Sequence, residues 1–155
     1  MDGANWVDGM RRIDDGGPVA DYEVDDDPNR LDLDAVCGYL TTEVYWARWR
    51  TVDVVKEQIR TAWRVVGAYA ADGSQVGFAR AFSDGFAMAY LADVYVLDEH
   101  RGHGLGKRIV QHMIDDGPGS KFRWTLHTSD AHGLYRQFGF GEPDSSYLER
   151  PSSQG

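Results

Sequence analysis

The residues of this sequence with the clearest chemical potential lie in one short stretch, RGHGLGK, at residues 101–107. Three glycines alternate there with larger residues between Arg101 and Lys107, where an apolar run gives way to a helical pattern. Each glycine costs about 0.5–1 kcal/mol in chain entropy relative to alanine, so bare backbone must serve a purpose there. The first turn of a helix has unpaired N–H groups and the positive end of the helix dipole, which a phosphate can approach across glycine. The stretch therefore predicts a pyrophosphate site or, as the alternative, a tight turn that needs positive φ.

Two well-known phosphate loops match this stretch poorly. The dinucleotide fingerprint needs G-x-G-x-x-G at the start of a parallel βαβ unit, whereas these glycines are at 102, 104 and 106 and the preceding strands read as antiparallel. The ATP-binding loop needs Gly-Lys-Ser/Thr, but Lys107 is followed by Arg108.

Two longer segments resemble the GNAT superfamily of N-acetyltransferases. VYVLDEHRGHGLGKRIV (94–110) is similar to its acetyl-CoA signature, Arg/Gln-x-x-Gly-x-Gly/Ala, and DAHGLYRQFGF (130–140) is similar to its second signature, a helix with a Leu-Tyr pair before Gly-Phe. The resemblance extends over about residues 21–148. It implies an α+β fold in which a mostly antiparallel central sheet of six or seven strands is splayed and flanked by about four helices.

The periodicity along the chain is compatible with that fold. Helical patterns cover 30–43 and 51–62, with Thr51 as a candidate cap, and three apolar runs separated by Asp-Gly turns follow as antiparallel strands. We then expect a helix over 104–115, a strand over 121–128, a helix over 130–138 capped by Asp130, and a final strand within 140–148.

The resemblance also implies roles for individual residues. The backbone of Val94, Tyr95 and Val96 would pair with the pantetheine arm of acetyl-CoA. Tyr135 would protonate the departing thiolate, although a core aromatic is the alternative. Thr128, three residues before Ala131, stands where many relatives have an asparagine that binds the cofactor arm, and we expect both Thr128 and Ala131 to bind the cofactor. The residues implied to hold the pyrophosphate are Arg101, Gly102, His103, Gly104, Leu105, Gly106 and Lys107.

The acceptor is expected to be the primary amine of a small molecule, attacked directly in a ternary complex. Asp93 is the first candidate to attract the amine or relay its proton, with a structural carboxylate as the alternative, and His127 is a second candidate base. Tyr90 would lie on the same side of its strand as Ala92, if no bulge intervenes, and could line the acceptor pocket. The aromatic segment between the first two helices supplies further candidate acceptor-binding residues: Tyr45, Trp46 and Arg48.

Composition narrows the classes of partner. The 155 residues have a formal net charge of −9, which disfavours nucleic acid and anionic membranes as partners. The single cysteine, Cys37, excludes an internal disulfide and a thiolate metal cluster, and we expect no metal. We expect one cytoplasmic domain over 21–150 with flexible ends at 1–20 and 151–155, and a homodimer stays open. The alternatives to a small-molecule enzyme are a protein acetyltransferase and a non-catalytic acyl-CoA sensor.

Overall fold

The computed structural model describes residues 21–44 and 49–154 of the chain. Its strands are β1 (Glu23–Asp25), β2 (Arg64–Tyr69), β3 (Gln75–Ser83), β4 (Met88–Val96) and β5 (Arg123–Leu126). Its α-helices are α1 (Leu33–Thr42), α2 (Val52–Arg60), α3 (Leu105–Met113) and α4 (His132–Arg136), and Pro28–Arg30 and Asp98–His100 are short 3₁₀ turns.

The strands form one sheet in the order β1-β2-β3-β4-β5. Neighbours from β1 to β4 are antiparallel, and the two Asp-Gly turns close the β2–β3 and β3–β4 hairpins with Gly73 and Gly85 at positive φ. The β4–β5 pair is parallel, with α3 in the crossover between the two strands. The predicted mostly antiparallel sheet is therefore confirmed.

Two apolar cores lie against the sheet. One joins α3 and α4 to β2, β3 and β4, with Ile109, Val110 and Leu134 wholly buried. The other joins α1 and α2 to residues of alternate orientation on the same strands, such as Phe78 and Tyr95. Helices on both sides thus fix the position of β4, the strand that enters the glycine-rich turn.

The early helices begin where capping chemistry places them. The Asp32 side chain accepts a hydrogen bond from the N–H of Ala35 at the start of α1, and the Thr51 side chain accepts one from Val54 at the start of α2. The predicted cap at Thr51 is confirmed. The predicted cap at Asp130 is wrong, because Ala131 is the residue at the start of α4 and the Thr128 hydroxyl accepts its N–H.

The predicted final strand is also wrong, and the described part of the chain forms five strands rather than six or seven. The segment 140–148 has no strand and instead forms a turn in which Asp144 accepts the backbone N–H of Ser146. Pro143 has no N–H for a ladder, and the Asp144 carboxylate competes with strand pairing by binding its own backbone. Leu148 consequently remains 90% exposed.

None of the helices in residues 21–44 and 49–154 is long and apolar enough to cross a bilayer.

Candidate active site

The glycine-rich turn leads directly into α3. Gly102 and Gly104 have φ values of +84° and +74°, in the left-handed region that favours glycine. Gly104 is the N-cap of α3, where no side chain within the described ranges caps the helix and the first turn contains no acidic residue. Both preceding α-helices, in contrast, have side-chain caps. No side chain in the described ranges caps the first N–H groups of α3, and no carboxylate in its first turn offsets the helix dipole. The start of α3 therefore suits an external anion.

Arg101 lies across the junction between β4 and this turn. Its guanidinium forms an ion pair with Asp98, and its Nε donates to the backbone carbonyl of Val96 at 3.3 Å. His103 is exposed and Lys107 half-buried, so two cationic or titratable side chains accompany Arg101 along the turn. Leu105 is 1% exposed, and only its backbone is suited to a ligand.

The sheet opens next to this turn. β5 pairs with β4 only from Met88 to Leu91 and ends at Leu126, whereas β4 continues to Val96. The last residues of β4 therefore extend past the end of β5. This is the splay that the resemblance implies, and it lies beside the start of α3.

A β-bulge at Ala92 sets which side chains share a face of β4. Asp93 pairs with Arg80 and Leu91 pairs with Ala81, which leaves Ala92 as the extra residue. Tyr90 pairs with Phe82, two residues along from Arg80 on the same face of β3. Tyr90 therefore shares its face with Asp93, and the expectation that it shares a face with Ala92 is corrected.

Asp93 is buried between two arginines. Its carboxylate accepts two hydrogen bonds from Arg50, at 3.0 and 3.1 Å, and one from the Nε of Arg80 at 2.8 Å. The side chains of Asp93 and Arg50 are each only 3% exposed. One carboxylate between two guanidiniums gives the cluster a net positive charge, so it does not attract an ammonium group. The geometry favours the structural alternative for this residue, because bidentate pairing holds the carboxylate firmly.

Tyr135 lies on α4 and is 6% exposed, with its ring edge-on to Phe140 at 5.7 Å between centroids. Ala131 is wholly buried at the start of α4, and its N–H and carbonyl both take part in local hydrogen bonds. Its side chain therefore belongs to the core, and Thr128, which holds its N–H, positions α4.

A cavity of about 650 Å³ opens between β5, α4 and the segment 140–149. Tyr135, Thr128, His127 and Glu149 all line it. The Nε2 of His127 lies 3.0 Å from Oε1 of Glu149, and its Nδ1 is hydrogen-bonded to the Tyr90 hydroxyl. A phenol, an imidazole and a carboxylate are thus connected in one line next to the splay.

Comparison with known proteins bears on the family of this chain. Residues 62–142, just over half of the chain, match the sequence profile described as "Acetyltransferase (GNAT) domain". The chain belongs to the GNAT family.

Two relatives show how far the similarity extends. A crystal structure of a provisionally assigned GNAT acetyltransferase from Xanthomonas campestris pv. campestris is 35% identical, with a TM-score of 0.80 over 87% of this chain and 96% of the other. FG08082 of Gibberella zeae, provisionally named an acetyltransferase, is 32% identical over 109 residues, which are 59% of this chain and 61% of that protein. The match thus spans about three fifths of that curated relative.

A more distant GNAT structure bears on the fold alone. An aminoglycoside N-acetyltransferase, AAC(6')-Iy, solved in complex with CoA, is 18% identical with a TM-score of 0.60 over 84% of this chain and 94% of the other.

GNAT acetyltransferases use acetyl-CoA, and the described residues fit that group. The start of α3 presents backbone donors and a left-handed glycine to a pyrophosphate, with Arg101 beside them. The far end of β4 presents backbone where an extended arm could run as a further strand.

Sequence reasoning placed Tyr90, His127 and Tyr135 separately and missed Glu149 altogether. Glu149 is 22 residues from His127 in a segment without regular structure, and no local pattern connects the two. The expected acceptor-binding residues Tyr45, Trp46 and Arg48 lie outside the described residues.

Proposed function

We propose that this GNAT protein is an N-acetyltransferase that transfers the acetyl group of acetyl-CoA to the primary amine of a small molecule in a ternary complex. The observation that carries the proposal is the start of α3 at left-handed Gly104, without a side-chain cap in the described ranges, beside the point where β4 outruns β5. An anion site and a strand that extends past its parallel neighbour occur together there, as a phosphorylated, extended cofactor requires.

In this mechanism the N–H groups of residues 102–107 and the Arg101 guanidinium would hold the pyrophosphate, and the backbone of Val94, Tyr95 and Val96 would align the pantetheine arm. Acetyl-CoA supplies a thioester whose carbonyl carbon the amine attacks. Tyr135 would donate its hydroxyl proton to the sulfur as the C–S bond breaks, since a phenol and a thiol of similar acidity exchange a proton with little energetic penalty. The tyrosinate would then regain a proton from the second N–H that the nitrogen loses when the amide forms.

The size of the cavity beside Tyr135 supports a small acceptor over a protein. About 650 Å³ is within the usual range for a small-molecule pocket, and the walls include carboxylates at Glu142, Asp144 and Glu149. The three carboxylates outnumber the two arginines of the same lining, Arg123 and Arg136, and suit an ammonium group, whereas buried Asp93 lies in a cluster of net positive charge.

The test is a thiol-release assay on the purified protein with acetyl-CoA and a panel of amines: 1,4-diaminobutane, 2-phenylethylamine, lysine, glucosamine and a lysine-containing peptide. We expect saturable turnover with at least one of the four small amines, and calorimetry with CoA should give micromolar affinity, about −8 kcal/mol. CoA binding without turnover of any amine would favour a sensor, turnover of the peptide alone would favour a protein acetyltransferase, and either result would overturn the proposal.

A further inference from the structure

Three residues from distant parts of the sequence form a continuous hydrogen-bond line. Tyr90 belongs to β4, His127 follows the last residue of β5, and Glu149 lies in the segment after α4. The Glu149 carboxylate accepts a hydrogen bond from the N–H at His127 Nε2, which leaves Nδ1 as the acceptor for the Tyr90 hydroxyl. The line therefore runs from phenol through imidazole to carboxylate, each group facing the one that complements it.

This line lies at the splay. Tyr90 pairs with Thr125 one step before the parallel β4–β5 ladder ends, and the bulge at Ala92 follows directly. His127 and Glu149 line the same cavity as Tyr135, the residue proposed to protonate the sulfur. The imidazole and the carboxylate of the line thus border the same space as the acid for the leaving group, and Tyr90 is connected to that space through its hydrogen bond to His127.

The surroundings of Tyr90 keep its phenol protonated in the resting state, so the phenol gives up its proton only as it receives another from the ammonium group. Burial is the largest cause that raises the pKa of Tyr90, and Tyr147, Glu149 and Asp93 raise it further, against a smaller opposite effect of Arg80. The phenol therefore stays protonated at neutral pH and donates to the imidazole. The other titratable or cationic groups that line the cavity are Arg123, His132, Arg136, Glu142 and Asp144.

Asp93 does not compete for the role. It shares the face of Tyr90 but is held by Arg50 and Arg80, whereas Glu149 is 47% exposed at its side chain and contacts the imidazole directly. Among the described carboxylates that line the cavity, Glu149 is the one hydrogen-bonded to an imidazole.

We propose that Tyr90, His127 and Glu149 form the proton relay that deprotonates the acceptor amine, with Tyr90 as the catalytic residue and the other two as positioning residues. This inference rests on the proposed acetyltransferase function. The ammonium group passes one proton to the Tyr90 oxygen as the Tyr90 proton moves to His127 Nδ1, and the Glu149 carboxylate stabilises the imidazolium. The amine is left neutral with its lone pair available, and the relay returns to its starting state when the imidazolium releases its proton to water.

The test compares wild type with Tyr90→Phe, His127→Gln and Glu149→Gln, using the amine from the panel above that wild type acetylates fastest. At pH 7 we expect turnover to fall about 10²-fold in the first two variants, within the usual range for general-base removal, and less in the third. Wild-type kcat/KM should level off with rising pH. In the variants it should keep rising about tenfold per pH unit and approach the wild-type rate at high pH, because the free amine then forms without the relay.

The controls separate the relay from the function it depends on. His112→Gln, a histidine at the end of α3 away from the cavity, should match wild type, and all variants should bind CoA with unchanged affinity. If wild type turns over an amine and the three variants keep both its rate and its pH profile, the relay is wrong while the proposed function stands. If the variants lose rate at every pH with an unchanged profile, the line is only structural and the relay is again wrong. If wild type acetylates none of the amines, the proposed function itself fails, and the relay fails with it.

Discussion

At the scale of single residues, the chemistry open to a side chain depends on the contacts that hold it. Tyr135 is buried on α4 and packs against the edge of Phe140. Asp93, in contrast, is paired with two guanidiniums and is therefore not available to bind an amine, the role that the sequence alone suggested. Two residues that the sequence marks equally as catalytic candidates thus differ in the chemistry open to them. The contacts that separate them join residues 13 and 43 positions apart, which no local pattern reveals.

The substitution Tyr135→Phe tests whether Tyr135 protonates the leaving thiolate. The substitution removes one oxygen and keeps the ring that packs against Phe140, so stability and CoA affinity should stay close to wild type. Turnover should fall about 10²-fold or more, because the thiolate then departs without a proton donor. Steady-state kinetics and CoA calorimetry on the same preparation measure both quantities. Unchanged turnover would assign the proton to water.

At the scale of elements, ion pairs join parts of the fold that the backbone does not. Asp93 on β4 connects β3 through Arg80 to the start of α2 through Arg50, which also donates to Gln58 of α2 at 3.0 Å. The cluster therefore ties a helix on one face of the sheet to two of its strands. It also lies next to the bulge at Ala92, where the ladder is locally irregular.

Asp93→Asn should accordingly lower the stability of the fold rather than affect the reaction with the amine directly. Removal of the carboxylate charge leaves two buried guanidiniums uncompensated, and the free energy of unfolding should drop by about 3–5 kcal/mol. The matched control is Asp115→Asn, because Asp115 is an exposed aspartate. This control should change the free energy of unfolding by less than about 0.5 kcal/mol. Urea unfolding measures both. An Asp93→Asn protein that is as stable as wild type but slower with cationic amines would restore Asp93 as a catalytic group.

At the scale of the whole molecule, the sequence predicts what is local and misses what depends on long-range packing. The Asp-Gly turns, the Thr51 cap and the glycines that start α3 are short-range signals, and the structure contains each of them. The final strand was wrong because the apolar residues near Tyr147 suggest pairing, while Pro143 and Asp144 prevent it. Glu149 was missed because its contact with His127 depends on the path by which that irregular segment comes to lie against the end of β5.

The central claim is that α3 begins as a phosphate site, and Gly104→Val tests it most directly. The valine would add a branched side chain at φ of +74°, which should cost a few kcal/mol of stability at most, and would occupy the space that the pyrophosphate requires. CoA affinity should fall more than about 10²-fold, roughly 3 kcal/mol, through lost charge-assisted hydrogen bonds. The measurement is the melting temperature of wild type and variant with and without millimolar CoA. The account predicts that CoA raises the melting temperature of wild type by linkage and leaves that of the folded variant almost unchanged. A folded variant that gains the full wild-type stabilisation from CoA would contradict it, because the glycines would then serve only the turn.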